Sequence, residues 1–257
     1  MNLVILYPHY LFSGDKISFS TGEARHPSSN IVTGSRSTFF RSDANYDNAS
    51  FIIDTNTLTE AEQTPDYIYI AGLNLSIASG GLVNVKLQGD DDSSFSSAVT
   101  ACSQNDIALT DLVGRKSEDF ILEVDNPAAK RYWKARVENG TGTSDFKYCL
   151  RKIYCGQWFY FGTEPDPPAN QKLEPGNSRR NGRSFSLTWS GVSNATLKTF
   201  LNKIYHHRRY NPVVLYARSW DGILNGETVI HAQILSYNLT RTMHDKNTVN
   251  VNFMELI

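Results

Sequence analysis

Three consecutive carboxylates, Asp90, Asp91 and Asp92, are the first residues whose type and spacing could do chemistry. Carboxylate oxygens are the ligands that calcium prefers. A dedicated calcium loop, however, spaces its acidic residues and contains a glycine at a fixed place, and this run has neither feature. We therefore interpret the run as a solvated turn.

Histidines offer metal-binding or acid–base chemistry at two places. His206 and His207 are adjacent near the predicted end of a helix, where neighbouring side chains point in different directions and chelate poorly. We interpret them as part of a positively charged helix end, which the helix dipole favours. His231 is predicted to lie within a strand and has no nucleophile near it in the sequence.

Catalytic motifs are missing from the sequence. It contains no glycine-rich phosphate loop, nucleophile elbow, paired-cysteine motif or His-Glu-x-x-His. Nothing singles out two of the scattered Asp and Glu residues as a glycosidase pair. We predict that the protein is not an enzyme and binds no cofactor or metal.

Three arginines, Arg179, Arg180 and Arg183, lie in the proline- and glycine-rich stretch 163–183. A loop of this length without structure of its own is usually functional or an assembly arm. The guanidinium groups could meet nucleic-acid phosphates or the carboxylates of a neighbouring subunit. Arginine pairs well with carboxylates across an interface. We favour an inter-subunit contact over a merely solvated loop.

Composition limits the class of protein. The chain has 257 residues, 40% of them hydrophobic and 20% charged, as in a soluble globular protein. A net charge of −1 excludes a generally basic nucleic-acid binder. No stretch approaches the roughly 18 apolar residues that cross a bilayer, and Met1–Tyr7 lacks the features of a signal peptide. We expect assembly in a cytoplasm, without membrane or sequence-specific nucleic acid as partner.

The three cysteines, Cys102, Cys149 and Cys155, are too few for a secreted disulfide scaffold. Cys149 and Cys155 are six residues apart on one predicted strand, which is too far for a bridge between them. We predict free thiols.

Alternating polar and apolar residues predict a series of strands in residues 1–156. Val83, Val85 and Leu87 alternate with polar neighbours, which is typical of a half-buried strand. Further strand candidates, rich in aromatic and β-branched residues, are 50–54, 67–75, 120–124, 132–137 and 146–162, the last broken once at Gly156. Strands at this spacing without a strong helical period predict an antiparallel sandwich.

The sequence pattern of residues 157–257 predicts a smaller β domain with one helix. After loop 163–183, strict alternation resumes over 183–189, and a helix is predicted over 194–208 with Ser193 or Asn194 as its cap. The apolar face of this helix has the spacing i, i+3, i+4, i+7 and i+8 and consists of Leu197, Phe200, Leu201, Ile204 and Tyr205. Three strands follow, at 213–217, 228–239 and 248–254.

The order of motifs in residues 1–156 resembles the galactose-binding-like, or discoidin-type, jelly roll. The stretches that carry the resemblance are His26-Pro-Ser-Ser-Asn30, Thr33–Ser42, Ser50–Asp54, Tyr67–Leu75, Val83–Phe95, Tyr132–Val137 and Leu150–Gly156. The resemblance implies an N-terminal antiparallel jelly-roll sandwich. It also implies a weaker alternative calcium site near Asn30, Thr33 and Ser42. The sequence departs from secreted members of the family in having no disulfide that joins the two ends.

Residues 157–257 resemble the ring-forming domain of siphophage distal tail and tail-tube proteins. The shared features are a small β barrel or sandwich, one flanking helix, the arm loop 163–183 and a terminal strand such as 247–256. The resemblance implies a structural virion protein of a phage tail tip, assembled in the host cytoplasm as a hexameric ring with tail-tube and other tail-tip proteins as partners. The order of domains is reversed relative to the usual barrel-then-sandwich arrangement.

The alternative function is a carbohydrate-binding adhesion module that recognises host surface glycans. On this hypothesis the first domain is the active part, and loops 24–42 or 89–95 carry the binding. Exposed aromatic residues in such loops could stack on sugar rings. The four tryptophans are predicted to lie in the core or in interfaces instead: Trp133, Trp158, Trp189 and Trp220.

Overall fold

The computed structural model describes residues 3–7, 17–19, 40–41, 48–56, 63–71, 74–75, 82–108, 120–125, 127–141, 148–166, 184–205, 212–217 and 229–256. The chain forms two compact units. Unit 1 consists of Met1–Tyr7 and Trp158–Ile257, and unit 2 of Pro8–Gln157. The predicted boundary of the first domain, residues 1–156, is therefore wrong for Met1–Tyr7, which belong to unit 1. Strand Leu3–Tyr7 belongs to unit 1 because it pairs antiparallel with Pro212–Ala217, with Leu3 opposite Ala217.

The fold class predicted from the sequence is confirmed: the protein is mainly β, its strand pairs are antiparallel, and the described residues contain one short α-helix. The strands are β1 (Leu3–Tyr7), β2 (Ile17–Phe19), β3 (Phe40–Arg41), β4 (Asn48–Asp54), β5 (Tyr67–Ala71), β6 (Asn74–Leu75), β7 (Leu82–Asp90), β8 (Val99–Ala108), β9 (Phe120–Glu123), β10 (Tyr132–Asn139), β11 (Tyr148–Leu150), β12 (Lys152–Phe159), β13 (Ser184–Ser193), β14 (Pro212–Ala217), β15 (Val229–Arg241) and β16 (Lys246–Glu255). No helix within the described ranges is long and apolar enough to span a membrane.

Unit 2 is built from antiparallel sheets. Its largest sheet has the strand order β2-β4-β10-β7-β8, a second runs β12-β5-β9, and a small third sheet runs β3-β11-β6. In β10, Trp133, Ala135 and Val137 are buried and alternate with half-buried polar residues. This alternation gives the five-stranded sheet one core face and one polar outer face.

The predicted single strand over 146–162 is two strands, and the break lies at Arg151 rather than at Gly156. The chain changes sheets there. Cys149 pairs with Arg41 and Asn74 in the small sheet, whereas the residues from Lys152 onward pair with β5. Gly156 stays in register with Tyr67, so it does not interrupt the strand.

Unit 1 contains an antiparallel sheet with the strand order β13-β16-β15-β14-β1, followed by the end of β12. A core rich in aromatic residues covers its inner face. Phe161 lies at the centre of that core, 4.3 Å from Trp189 and 4.9 Å from both Phe159 and Phe200 between ring centroids.

The helix of unit 1, α1 (Asn194–Phe200), is capped by Ser193, whose hydroxyl accepts a hydrogen bond from the Thr196 amide at 3.1 Å. The predicted helix over 194–208 is corrected, because the α-helix ends at Phe200 and continues as a π-helical turn, Leu201–Tyr205. The wider turn still directs Ile204 into the core and brings the Tyr205 ring against Tyr237, 4.5 Å between centroids. The apolar face predicted for the helix is thus the face that packs. Residues 206–208 lie outside the described residues.

Candidate functional site

Three strands of the largest sheet in unit 2 meet at one end of that sheet. Tyr132, the first residue of β10, lies opposite Asp54, the last residue of β4, and opposite Asp90, the last residue of β7. The register of the two pairings therefore places a tyrosine between two aspartates. The turn from β7 to β8 begins at the same end.

Asp90 organises that turn. One of its carboxylate oxygens accepts hydrogen bonds from the amides of Asp91 (2.7 Å) and Asp92 (3.2 Å), and the other accepts one from the amide of Ser97 (2.9 Å). Asp90 is buried, with 6% of its surface exposed, so it does not fit the predicted solvated turn, whereas Asp91 and Asp92 are exposed. Within the described part of the chain, no group of three His, Cys, Asp or Glu residues could hold a metal ion.

Arg131 is fixed on the ring of Tyr132. Its guanidinium carbon lies 4.7 Å from the ring centroid. Its Nε and Nη2 each donate to a different oxygen of Asp54, both at 3.1 Å. Such a bidentate pair sets the orientation of the guanidinium as well as its position. The hydrogen bonds to Asp54 also raise the pKa of Arg131.

Asp91 ties the turn to the start of β10. Its carboxylate accepts a hydrogen bond from Lys130 Nζ at 2.6 Å and another from the Arg131 amide at 3.3 Å. The bond from Lys130, followed by the bond from the Arg131 amide, lowers the pKa of Asp91. Both bonds favour the ionised carboxylate.

Phe95 presents a second ring from the same turn. Its backbone has a φ of +56°, a left-handed conformation that bulky residues rarely adopt. The Nζ of Lys134 lies 3.9 Å from the centroid of its ring, which is half-buried. Strained conformations of this kind persist where the surrounding structure enforces them, often at functional sites.

We call this group of side chains the sheet-end site: Asp54, Asp91, Phe95, Lys130, Arg131, Tyr132 and Lys134. It combines two partly exposed aromatic rings, each with a cation against it, and carboxylates that hold two cations in place. Rings that stack and charged groups that form hydrogen bonds can bind a ligand. The site has none of the nucleophile–base pairs that covalent catalysis needs.

Only part of this site was predicted from the sequence. Loop 89–95 was proposed for the glycan-binding alternative, and it supplies Asp91 and Phe95. Five residues of the site were missed, although the Lys-Arg-Tyr run before a strand is as visible a signal as the aromatic residue in the acidic turn: Asp54, Lys130, Arg131, Tyr132 and Lys134. That these signals belong together depends on the pairing of β4 with β10, which no local pattern reveals.

The other predicted site residues stay predictions. Arg179, Arg180 and Arg183, the pair His206 and His207, and the alternative calcium ligands Asn30, Thr33 and Ser42 lie outside the described residues. His231 is buried in β15, opposite Val214. Trp133 and Trp189 are core residues, Trp158 is half-buried, and Trp220 lies outside the described part.

No protein-family model matches the sequence, and no curated protein matches it significantly. Similarity to solved structures covers a little more than half of the chain. Chitosan-binding module 1 of a chitosanase/glucanase from Paenibacillus sp. IK-5 has 16% identity and a TM-score of 0.40, over 57% of this chain and 98% of that one.

Two other similar structures come from Clostridium perfringens. The galactose-bound family 32 carbohydrate-binding module of NanJ has 11% identity and a TM-score of 0.39, over 59% of this chain and 98% of that one. A family 32 module of a family 31 glycoside hydrolase has 16% identity and a TM-score of 0.38, over 57% and 98%. All three are carbohydrate-binding modules, but likeness at this level carries no argument about what this chain binds.

Proposed function

We propose that the protein is a binding protein, not an enzyme, and that unit 2 binds carbohydrate at the sheet-end site. The observation that carries the proposal is the pair of partly exposed rings, Tyr132 and Phe95, each with a cation 4.7 Å or 3.9 Å from its centroid. The rings extend from one end of a sheet rather than into the core.

This arrangement suits a sugar. The C–H face of a pyranose packs on an aromatic ring, and its hydroxyl groups pair with planar, charged side chains that offer several donors or acceptors. Arg131 and Asp54 provide such groups and hold each other in place. Groups that are fixed before the ligand arrives lose little conformational entropy on binding, so a shallow site can still bind.

A glycan array probed with the full chain, followed by isothermal titration of the best oligosaccharide, tests the proposal. We expect binding that Tyr132→Ala or Phe95→Ala weakens by about tenfold, since one lost aromatic contact contributes ~1 kcal/mol or more. Gln104→Ala is the matched control, because Gln104 is exposed on β8 of the same sheet but is not part of the site. The proposal would be overturned if the chain bound no glycan of the array, or if the unchanged protein and the three variants bound with equal affinity.

A second candidate function is a structural role at the tail tip of a phage, with self-assembly through unit 1. The observation that favours it is a group of exposed apolar side chains on β15 and in the turn that follows it. Three of these side chains are 45–71% exposed: Leu235, Leu239 and Met243. Exposed apolar residues favour association between chains.

Electron microscopy and light scattering of the concentrated chain test this second function. We expect ring-shaped oligomers, with Arg179, Arg180 and Arg183 as predicted contacts between subunits. Leu239→Lys should shift the protein to monomer, since a charge replaces one of the exposed apolar side chains, whereas Ser190→Lys on the exposed face of β13 should not. A chain that stays monomeric at high concentration would exclude the ring.

A further inference from the structure

The outer face of the largest sheet in unit 2 carries a group of cations, which we call the cationic face: Lys86, Lys134 and Arg136. Each alternates along its strand with buried residues, so all three belong to the polar side of the sheet. Arg136 of β10 and Lys86 of β7 are direct cross-strand partners. Like charges directly opposite each other destabilise a sheet.

One carboxylate lies between these two cross-strand cations. Glu138 Oε2 is 2.6 Å from Lys86 Nζ, and Glu138 Oε1 is 2.5 Å from Arg136 Nη2. The three side chains are only 18–29% exposed, so solvent screens their interaction less than it would at an open surface. A single negative charge thus serves two positive ones.

Lys134 adds a third positive charge to the same face. In the described part of the chain its ammonium group lies over the ring of Phe95 and forms no ion pair within 4 Å. Burial, and then the positive charge of Arg136, lower the pKa of Lys134, while Asp90 acts in the opposite direction. The cationic face therefore has three cations and two nearby carboxylates, since Glu138 contacts Lys86 and Arg136 and Asp90 acts on Lys134.

Arg136 also has unused hydrogen-bonding capacity. Its Nε–H is buried and has no acceptor among the described residues. A buried donor without an acceptor is unfavourable, and an anionic oxygen is the acceptor that guanidinium groups prefer. The excess of positive charge and the incomplete bonding of Arg136 both favour an anionic ligand.

We propose that the cationic face is the anion subsite of the sheet-end site, and that it binds the carboxylate or sulfate group of an acidic polysaccharide. The inference rests on the proposed carbohydrate-binding function. Lys134 connects the two parts, because it lies two residues after Tyr132 on the same side of β10 and its ammonium group contacts the ring of Phe95. A sugar ring on Tyr132 or Phe95 would hold its acidic group near Lys134 and Arg136.

Nucleic acid also carries anionic groups, but it fits this face less well. Strong binding of a nucleic-acid backbone needs several phosphate contacts, each with its own cation. The cationic face offers three cations, and Glu138 already contacts two of them. The net charge of the chain is −1, which gives little long-range attraction for a polyanion.

The experiment compares three immobilised polysaccharides in biolayer interferometry with the full chain: polygalacturonate, a sulfated galactan and a neutral galactan. We expect binding to at least one acidic polymer, and the arm that binds distinguishes carboxylate from sulfate. Arg136→Gln and Lys134→Gln should each weaken acidic binding by about tenfold, the effect of one lost charge-assisted hydrogen bond. Arg136→Lys should restore part of the affinity, because it keeps the charge without the fork.

The control is Lys198→Gln, which removes an exposed lysine from α1 of unit 1, and circular dichroism verifies that each variant folds. Binding of the neutral galactan alone, or acidic binding that neither variant changes, overturns the anion subsite but leaves the carbohydrate-binding function intact. If the chain binds none of these polymers and no glycan of the array, both the anion subsite and the carbohydrate-binding function are overturned. Stronger binding to single-stranded oligothymidylate than to every polysaccharide overturns the subsite in favour of nucleic acid.

Discussion

The two units cover the outer faces of their sheets with different chemistry. In unit 1 several neutral side chains on the outer face of β13, β15 and β16 bond to each other. Asn250 Nδ2 donates to Thr188 Oγ1 at 2.8 Å, Asn252 Nδ2 donates to Ser236 Oγ at 2.7 Å, and Ser186 pairs with Asn252. The outer face of the largest sheet in unit 2 instead carries the two lysines and the arginine of the cationic face, with Glu138 in contact with Lys86 and Arg136.

The two outer faces therefore differ in how completely their polar side chains are paired with partners on the same sheet. The Asn, Ser and Thr side chains of unit 1 use donors and acceptors on the same sheet, so they have little need for a ligand. The cationic face keeps an excess of positive charge and a buried Nε–H without an acceptor in the described part of unit 2. Binding is therefore expected at unit 2, and unit 1 suits a structural role.

The cores of the two units also differ in whether a buried polar group has a hydrogen-bond partner. This difference yields the largest predicted effect. Trp133 and Trp189 are each 1% exposed. Trp133 Nε1 donates to the Gln63 carbonyl at 2.9 Å, whereas Trp189 Nε1 has no acceptor among the described residues. Trp133→Phe should lower the unfolding free energy of unit 2 by about 2–3 kcal/mol, through the smaller ring and the lost hydrogen bond.

Trp189→Phe is the matched variant in unit 1. It removes the same volume together with a donor that has no partner, so we expect a loss smaller by about 1–2 kcal/mol. Urea unfolding followed by circular dichroism, with each transition fitted separately, measures both losses. Equal losses would mean that the indole hydrogen bond of Trp133 contributes nothing.

Local pattern predicted the elements that are regular over their own length. Strict alternation over residues 83–89 gave β7, and the apolar spacing from Leu197 to Tyr205 gave the face of the helix that packs. β8 was missed because residues 103–106 in its middle are polar and exposed, so no alternation marks the strand. The π-helical turn was missed because the same apolar spacing fits an uninterrupted α-helix.

Features that depend on distant pairing could not be predicted. Val4 pairs with Tyr216, so nothing near β1 in the sequence indicates that it belongs to unit 1. The sheet-end site has the same origin, since Asp54 meets Arg131 only because β4 and β10 pair in one particular register. The acidic turn and its phenylalanine could be predicted from the sequence, because they lie in one continuous stretch, residues 89–95.

Removal of the carboxylate between Lys86 and Arg136 tests the contrast between the outer faces. Glu138→Gln leaves two cations side by side and should cost unit 2 about 1–2 kcal/mol at low salt. The loss should shrink in 1 M salt, where the screening length falls to ~3 Å. Urea unfolding at both salt concentrations measures the change.

Asn250→Ala in unit 1 is the control for this salt effect. It removes one neutral hydrogen bond, to Thr188, and should cost about 1 kcal/mol at either salt concentration. If both variants respond equally to salt, the ionic character of the cationic face has no energetic consequence, and the contrast between the two outer faces fails.

The smallest predicted effect is a pH dependence confined to unit 2. The bond from Lys130 lowers the folded-state pKa of Asp91 below its usual 3.8, so its contribution to stability is complete above that pH. The contribution is lost as the pH falls through the lower folded value. Asp91→Asn should therefore destabilise unit 2 slightly at pH 6 and by less at pH 2.

Thr188→Ala in unit 1 is the control and should cost the same at both pH values, because its bond partner does not titrate. An Asp91→Asn effect that was equally large at pH 6 and at pH 2 would mean that the carboxylate acts through its shape and not through its charge, and the turn would then resemble the neutral bonding of unit 1.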